Sequence, residues 1–256
     1  MRRGSRRALL PHLGAGAALV LATVWIGVAT APPVIAAVNC RAAPAPRVNL
    51  HNCSLVDANL AGADLAGARL MHTNLSGANL TGATLTGANL TGATLSDTTL
   101  TSATLVNANL KNAIAPGAVL TNANLDKAHL NNTNLQNADL SNAEAVKSNF
   151  DGAHLGGAKL GGTRFVDADL QSAGLSDATL TDAHLEGARL DHANLSGADL
   201  NGASLFQAKL VEATLTKANL SDAILVHATV SGAALGGVTW SGASCPSGAL
   251  ASASGC

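Results

Sequence analysis

Residues 58–85 read ANLAGADLAGARLMHTNLSGANLTGATL, with a leucine at every fifth place and an alanine two places before most of these leucines. The rhythm runs from Leu50 to Trp240, where 33 of 39 such places hold leucine and 31 of 39 partner places hold alanine. A period of five fits neither regular structure, because it rotates successive leucines by about 140° on a helix and alternates them between the faces of a strand. The leucines can share one core only if the backbone changes direction once per repeat, so that the repeats form coils that stack into a rod.

The composition agrees with a narrow, repetitive interior. Of the 256 residues, 47% are hydrophobic but only 2% are aromatic, and tyrosine is absent. Leucine and alanine in identical layers can fill a thin core without bulky side chains. The formal net charge of −1 argues against a nucleic-acid partner held by phosphate contacts.

The first 37 residues differ in character from the repeats. Four arginines within the first seven residues precede an apolar stretch at about residues 13–31, and Ala36 and Ala37 follow. This order predicts a secretory signal peptide at 1–37 that is cleaved after one of the two alanines. Without this segment, 11 basic residues stand against 16 acidic ones, which leaves a net charge of −5.

The export route and the fate of this segment stay open. Arg6 and Arg7 resemble the paired arginines of the twin-arginine export motif, although Leu9 stands where that motif favours phenylalanine. The Sec and twin-arginine routes are therefore both compatible with the sequence. An uncleaved membrane anchor is the alternative, since the apolar stretch is just long enough to span a bilayer. We expect a protein that is secreted or displayed at the cell surface, or else one that this segment holds in the membrane.

Four cysteines lie at the two ends of the repeats, Cys40 and Cys53 at one end and Cys245 and Cys256 at the other. An even number in an exported chain predicts two disulfides. About ten stacked coils at roughly 4.8 Å each separate the ends by on the order of 45 Å, which no disulfide can bridge. The rod therefore permits only the pairs Cys40 with Cys53 and Cys245 with Cys256. Neither pair has the spacing of a zinc knuckle, so a metal site is not expected there.

The motif Ala-(Asp/Asn)-Leu, as in Ala58-Asn59-Leu60 and Ala198-Asp199-Leu200, resembles the pentapeptide-repeat proteins. The resemblance implies an all-β fold, a right-handed quadrilateral β-helix with four repeats per turn and about ten coils in this chain. It places the β-helix at 38–245 and a disulfide-closed C-terminal cap at 246–256. The tail around Trp240 is similar to that of exported bacterial members, and we expect the Trp240 indole to cover the end of the core.

Charged residues offer a test of the four-sided coil. If four repeats complete one coil, side chains that are four repeats apart stand in one column at strand spacing. Four pairs of opposite charge fall at this separation, Asp139 with Lys159, Glu144 with Arg164, Lys147 with Asp167, and Asp169 with Arg189, against two pairs of like charge, Lys127 with Lys147 and Arg189 with Lys209.

Two irregularities interrupt the leucine columns. Ala145 leaves a void at a leucine place, and we expect the ring of Phe165, one coil later in the same column, to lean into it. The segment from Ala113 to Gly117 lacks a central leucine and contains Pro116, which predicts a bulge or bend because proline removes a ladder donor. A tolerated imperfect repeat is the alternative.

No set of residues in the repeats assembles a catalytic site, so neither enzymatic activity nor a cofactor is expected. The histidines of the repeats occupy outward places, and no two share a column in adjacent coils, which argues against a metal site; they are His51, His72, His129, His154, His184, His192 and His227. The polar residues that recur before the leucines predict a hydroxyl or amide ladder between coils.

One surface column stands out. The residue after leucine is small or polar in most repeats, but one column, here termed the apolar column, consists of Val106, Asp126, Val146, Val166, Glu186, Phe206 and Val226. Five of these seven residues are apolar. We hypothesise that this column docks a protein partner, which includes a second copy of the rod in a homodimer. The alternative is that β-branched residues simply suit a strand surface.

Together these features predict a non-catalytic exported scaffold that binds a protein or cell-envelope partner. The resemblance also implies an alternative, a DNA-mimicking rod that binds a topoisomerase such as gyrase and protects it from quinolones. Such members act in the cytoplasm through a strongly negative face, whereas the acidic residues here are interspersed with lysine and arginine.

Overall fold

Each repeat of five contains one backbone turn, as the leucine period predicts. The computed structural model describes residues 38–251 and residue 256. The leucine carbonyl accepts a hydrogen bond from the N–H three residues later, for example from Ala198 to Leu195 at 3.0 Å. The second residue after the leucine has a positive φ, such as 54° at Asp182 and 67° at Gly187. This is the signature of a type II turn, and it explains why glycine, asparagine and aspartate recur at that place.

Isolated β-bridges connect the repeats into stacked coils. Every fifth residue from Asn49 to Ile224, which is the residue before each leucine place, forms a parallel bridge with the residue four repeats later. Four repeats therefore complete one coil, and the four-repeat period is confirmed. A final antiparallel bridge joins Ser244 to Leu250. Residues 38–251 contain no longer strand and no helix, hence no helix that could span a membrane.

Backbone hydrogen bonds run along the rod in both directions. The N–H groups of the leucine and of the second residue after it donate to the following coil, as from Leu180 to Asp199 at 2.6 Å and from Asp182 to Asn201 at 2.9 Å. The N–H of the residue before the leucine donates to the preceding coil, as from Thr179 to Ala158 at 2.9 Å. These three hydrogen bonds and the one inside the turn use four of the five N–H groups of each repeat. The remaining N–H belongs to the residue after the leucine and makes no backbone-to-backbone hydrogen bond to another coil.

Asparagine and aspartate before the leucine serve this remaining N–H. Oδ1 of Asn74 accepts the N–H of Ser76 at 3.1 Å, and Oδ1 of Asp199 accepts the N–H of Asn201 at 3.2 Å. These side chains form Asx turns inside their own repeat. The expected ladder between coils is therefore wrong for most of them, and a bond from Asn219 Nδ2 to Asp199 Oδ1 at 2.9 Å is an exception.

The predicted bulge at Pro116 is also wrong. Ile114 keeps both of its bridges, to Thr94 and to Asn134, and Ala115 stays buried. Pro116 directly follows Ala115, so it occupies the one place whose N–H lies outside the ladder, and it removes no ladder bond. Because proline has no N–H to satisfy, Ile114 can stand where other repeats carry asparagine or aspartate.

The core is a continuous stack of inward side chains. From Leu65 to Leu225, the leucine and alanine places are at most 2% exposed. Threonine or serine replaces alanine in five repeats, and each buried hydroxyl donates to a carbonyl at a leucine place, as from Thr163 Oγ1 to Leu140 at 2.7 Å. The core therefore tolerates these hydroxyls because their hydrogen bonds are satisfied.

Two phenylalanines lie close to the alanine that interrupts the leucine column. Phe150 and Phe165 are fully buried and pack edge to face, with ring centroids 5.3 Å apart. The N–H of Ala145 donates to the carbonyl of Arg164 at 2.8 Å, so Phe165 lies beside Ala145 in the following coil. That Phe165 fills the space beyond Ala145 stays a prediction.

Disulfides tie both terminal segments to the core. Cys40 pairs with Cys53 and Cys245 pairs with Cys256, with Cα–Cα distances of 5.4 and 5.3 Å. Both pairings are those that the sequence predicts. Cys53 takes an alanine place of the first coil and Cys245 a leucine place of the last, and both are buried. The predicted leader at 1–37 lies outside the described residues.

A candidate protein-binding face

The apolar column forms one vertical stripe on one side of the rod. Successive members are four repeats apart, and the bridges of the same side place them one above another. Val106, Val146, Val166 and Val226 are half-buried, whereas the residue Phe206 is 37% exposed. The structure thus brings the five apolar residues of the predicted face together, with one aromatic side chain standing out from the stripe.

The two acidic residues of the column have local partners. Oδ1 of Asp126 accepts the N–H of Val146 at 2.9 Å. Burial tends to raise the pKa of Glu186, but hydrogen bonds from Ser204, from its own backbone N–H and from His184 lower this pKa below its usual value. Nδ1 of His184 lies 3.3 Å from Oε1 of Glu186. One oxygen of each carboxylate contacts the rod itself, whereas Oε2 of Glu186 is buried without a hydrogen-bond partner, so the two acidic residues interrupt the apolar column.

One apolar residue of this face was not predicted. Ile224 is 44% exposed and flanks the inward Leu225 on the side opposite Val226. The ring of His227 packs edge to face against Phe206, with centroids 5.6 Å apart. Phe206 and Ile224 are two of the six exposed large apolar residues of the described chain, and Val56 and Ile114 lie on another side of the rod. An isoleucine at a place that usually holds a polar residue was the signal available in the sequence.

Ion pairs between coils follow the predicted columns in three of the four cases. The nitrogen-to-oxygen distances are 4.0 Å for Lys159 with Asp139, 3.1 Å for Arg164 with Glu144, and 3.5 Å for Arg189 with Asp169. The predicted pair of Lys147 with Asp167 is wrong. Asp167 turns its carboxylate toward Gly187 in the following coil, where an added Cβ would meet Oδ1 at 2.6 Å, and so away from Lys147 in the preceding coil.

The described residues contain no group of three or more histidine, cysteine, aspartate or glutamate side chains suited to a metal ion. Two histidines do approach each other, because the rings of His51 and His72 have centroids 5.8 Å apart. They occupy adjacent columns of neighbouring coils, so a comparison limited to side chains of the same column misses them.

Comparisons with known proteins place the chain in a family. The family model described as pentapeptide repeats matches in eight copies, over residues 47–82, 78–114, 103–142, 148–187, 175–205, 183–222 and 203–242. These ranges cover nearly the whole rod. The chain belongs to the pentapeptide-repeat family.

Several solved structures are similar to the chain. HetL, a pentapeptide repeat protein involved in heterocyst differentiation regulation from the cyanobacterium Nostoc sp. strain PCC 7120, is 35% identical, with coverage of 80% of this chain and 92% of HetL and a TM-score of 0.46. Rfr23 from the cyanobacterium Cyanothece 51142 is 36% identical, with coverage of 34% of this chain and 58% of Rfr23 and a TM-score of 0.34.

QnrB1, a plasmid-mediated fluoroquinolone resistance protein, is 20% identical, with coverage of 75% of this chain and 88% of QnrB1 and a TM-score of 0.35. A search of curated proteins found no significant match.

Proposed function

We propose that this protein is a non-catalytic exported scaffold, a right-handed β-helix of about ten coils that binds a protein partner through the apolar column. The observation that carries the proposal is the exposure of Phe206 and Ile224 on one side of a rod whose outward places are mostly small or polar. Large apolar side chains in contact with water favour association with a complementary surface.

The partner that we propose for this face is a second copy of the rod. A flat side with a straight apolar stripe can pack on the same side of another copy across a two-fold axis. The half-buried valines would form the dry centre of such an interface, and Phe206 would provide an aromatic anchor. The ion pair of Arg164 with Glu144 lies on this same side of the rod, in the repeats of Val166 and Val146, so it would border the contact.

Two features support export, namely the leader-like sequence of residues 1–37 and the disulfides near the two ends of the rod. The arginine-rich and apolar order of residues 1–37 is typical of a leader. Two disulfides in a chain that has no other cysteine in its sequence fit an oxidising compartment.

The molar mass of the purified protein in solution, measured by light scattering, tests the proposed face. We expect the wild type to be a dimer, and Phe206→Ser and Val166→Ser to shift it toward the monomer. Val56→Ser is the matched control, because Val56 is 46% exposed but lies on another side of the rod, and it should leave the mass unchanged. A monomeric wild type would remove the second copy as partner.

The alternative function, DNA mimicry toward a topoisomerase, has less support. Three carboxylates along the rod are paired with lysine or arginine of the adjacent coil, which breaks up any continuous negative face. We expect no effect of the protein on gyrase supercoiling even at high excess. Inhibition or protection in that assay would favour the alternative.

A further inference from the structure

Charged residues flank the two central valines of the apolar column. Each valine has one charged residue two places before it and another directly after it. These residues are Glu144 and Lys147 around Val146, and Arg164 and Asp167 around Val166. Equivalent places of the two repeats lie one above the other, because Glu144 forms a bridge with Arg164. The charge therefore reverses its sign from one coil to the next on both flanks of the column.

The charges on the two flanks differ in their contacts within the chain. Arg164 lies 3.1 Å from Glu144, and 51% of its side chain is still exposed. Lys147 and Asp167 are exposed, and neither takes part in an ion pair within the residues that the structure describes. Both flanks thus present charge to a molecule that contacts the apolar column.

An antiparallel second copy brings opposite charges together when it packs on the same side of the rod. A two-fold axis that is perpendicular to the rod and lies in the interface makes each column face itself in reverse order. If this axis passes between the coils of Val146 and Val166, each of these valines faces the other one in the second copy. The facing charges on the flanks are then opposite, in two pairs of Arg164 with Glu144 and two pairs of Lys147 with Asp167.

The same register gives the aromatic anchor of the column an apolar neighbour. Phe206 faces Val106 of the second copy, and the symmetry repeats this contact at the other end of the interface. The central valines lie between the two anchors, and aromatic anchors carry much of the binding energy of an interface. The contact spans the coils from Val106 to Phe206, which is about 24 Å at the usual spacing of strands.

One contact of this register is unfavourable. Asp126 and Glu186 face each other, and carboxylates that stand opposite each other repel. Lys127 offsets this repulsion, because it faces Gly187 of the second copy, directly beside Glu186, where no side chain obstructs it. Glu186 thus gains a basic neighbour in the dimer.

Other arrangements are less favourable. Antiparallel registers shifted by one coil place like charges opposite each other, Lys147 facing Lys147 in one direction and Arg164 facing Arg164 in the other. A parallel dimer pairs the flanking charges as well, but it places equal ends side by side. Residues 177–251 carry seven acidic and three basic residues, a net charge of −4, whereas residues 38–125 carry three acidic and four basic ones, a net charge of +1. The antiparallel arrangement separates the two acidic ends.

We propose that the rod forms an antiparallel dimer whose two-fold axis passes between the coils of Val146 and Val166. This dimer rests on the proposed function, because it requires the apolar column to bind a second copy. Its orientation and its register are additional features. The residues that select them are Glu144, Lys147, Arg164 and Asp167.

Charge reversal tests the register, with the dissociation constant of the dimer measured by analytical ultracentrifugation of the purified protein. Lys147→Glu places carboxylates opposite each other at two symmetric places and should raise the dissociation constant by about tenfold or more. Asp167→Lys should have the same effect, because lysines then face each other. The double variant exchanges the two charges and should recover most of the affinity of the wild type.

These variants should fold, because the turn accepts both new residue types elsewhere in the chain. Glu212 and Lys217 occupy the same place of their repeats, with φ values of 55° and 62°. Circular dichroism verifies the fold of each variant. Lys217→Glu is the matched control, since Lys217 lies on another side of the rod, and it should leave the dissociation constant unchanged.

The double variant distinguishes the two orientations. In a parallel dimer Lys147 faces Glu144 and Asp167 faces Arg164, so the double variant would bind more weakly than either single variant. That result would overturn the antiparallel register. A dimer that Phe206→Ser dissociates but that charge reversal does not affect would overturn the register and leave the proposed face intact. A monomeric wild type would overturn both.

Discussion

The middle coils and the last coil of this protein share one sequence pattern but differ in burial. Leu180 and Leu220 are fully buried, whereas Leu235 and Trp240 remain partly exposed at equivalent places. Leu220 donates its N–H to Thr239 in the following coil, and within residues 38–251 no such bond is found for Trp240. This difference shows that each repeat is stabilised by contacts with the coils on both sides. The same five residues therefore contribute less to the free energy of unfolding at an end of the rod, where one neighbour is missing.

The largest effect should come from a single proline at Asp177 in a middle coil, and a single proline at the adjacent Ser176 provides the comparison. Asp177 has a φ of 55° and donates its N–H to Ser196 at 2.9 Å, so Asp177→Pro should cost more than about 3 kcal/mol. Ser176 is the residue after a leucine, where the turn suits proline, so Ser176→Pro should stay within about 0.5 kcal/mol of the wild type. Urea unfolding followed by circular dichroism measures both, and similar losses would contradict the proposed ladder.

A leucine deletion in each region compares them directly. Leu180→Ala removes a side chain that is 0% exposed and should cost about 3–4 kcal/mol, because it leaves a cavity between two coils. Leu235→Ala removes a partly exposed side chain and should cost about 1 kcal/mol, because less area is lost from the core. The same unfolding experiment is suitable. Equal costs would show that the last coil is covered as well as the middle.

The disulfides should protect the ends and leave the middle coils unaffected. Replacement of Cys245 and Cys256 by alanine opens a link between residues 11 apart, which is worth roughly 3 kcal/mol in the chain-entropy model. We expect faster amide hydrogen exchange in the last coils and unchanged exchange near Leu140. The matching replacement of Cys40 and Cys53 should loosen the first coil instead. Uniform loosening along the rod would argue for a single cooperative unit.

A smaller effect should come from the phenylalanine pair in the middle coils. Ala145→Leu should cost about 1–3 kcal/mol if Phe165 already fills the adjacent space, because the added side chain overpacks the core. Phe165→Leu in the same chain should recover most of this loss. A neutral Ala145→Leu would indicate that the space beyond Ala145 is empty.

The smallest effect concerns the pH dependence of Glu186. Its pKa is lowered in the folded state, so its contribution to stability is present above the pKa of the unfolded chain and is lost as pH falls through the folded value. Glu186→Gln should therefore be less stable than the wild type near neutral pH, by less than about 1 kcal/mol, because the site is partly exposed. Thermal melts at neutral and at strongly acidic pH measure the difference, which should vanish in acid.

The coil and its register could be predicted from the sequence because the core depends on one repeated spacing. Leucine at every fifth place requires a turn per repeat, and the columns of Asp139, Glu144 and Asp169 follow from four repeats per coil. The disulfide pairing follows as well, since the two ends of a stacked rod lie far apart.

Other features depend on hydrogen-bond directions that residue spacing does not reveal. Pro116 is harmless because one particular N–H of each repeat lies outside the ladder, and Asn74 serves that N–H within its own repeat. The approach of His51 to His72 depends on a diagonal contact between adjacent columns. Ile224 occupies the place before a leucine, whereas the apolar column consists of the places after the leucines, so the pattern of that column does not include it.

The constant span of the bridges has a consequence for how this chain reaches its native state. Each new coil closes a loop of four repeats, whichever coil it is. The entropy lost in closing a loop depends on the length of that loop, so it is the same for the first layer and for the last. A chain twice as long would meet the same elementary barrier at each step, and growth could proceed layer by layer from either tip while the remainder is still unfolded.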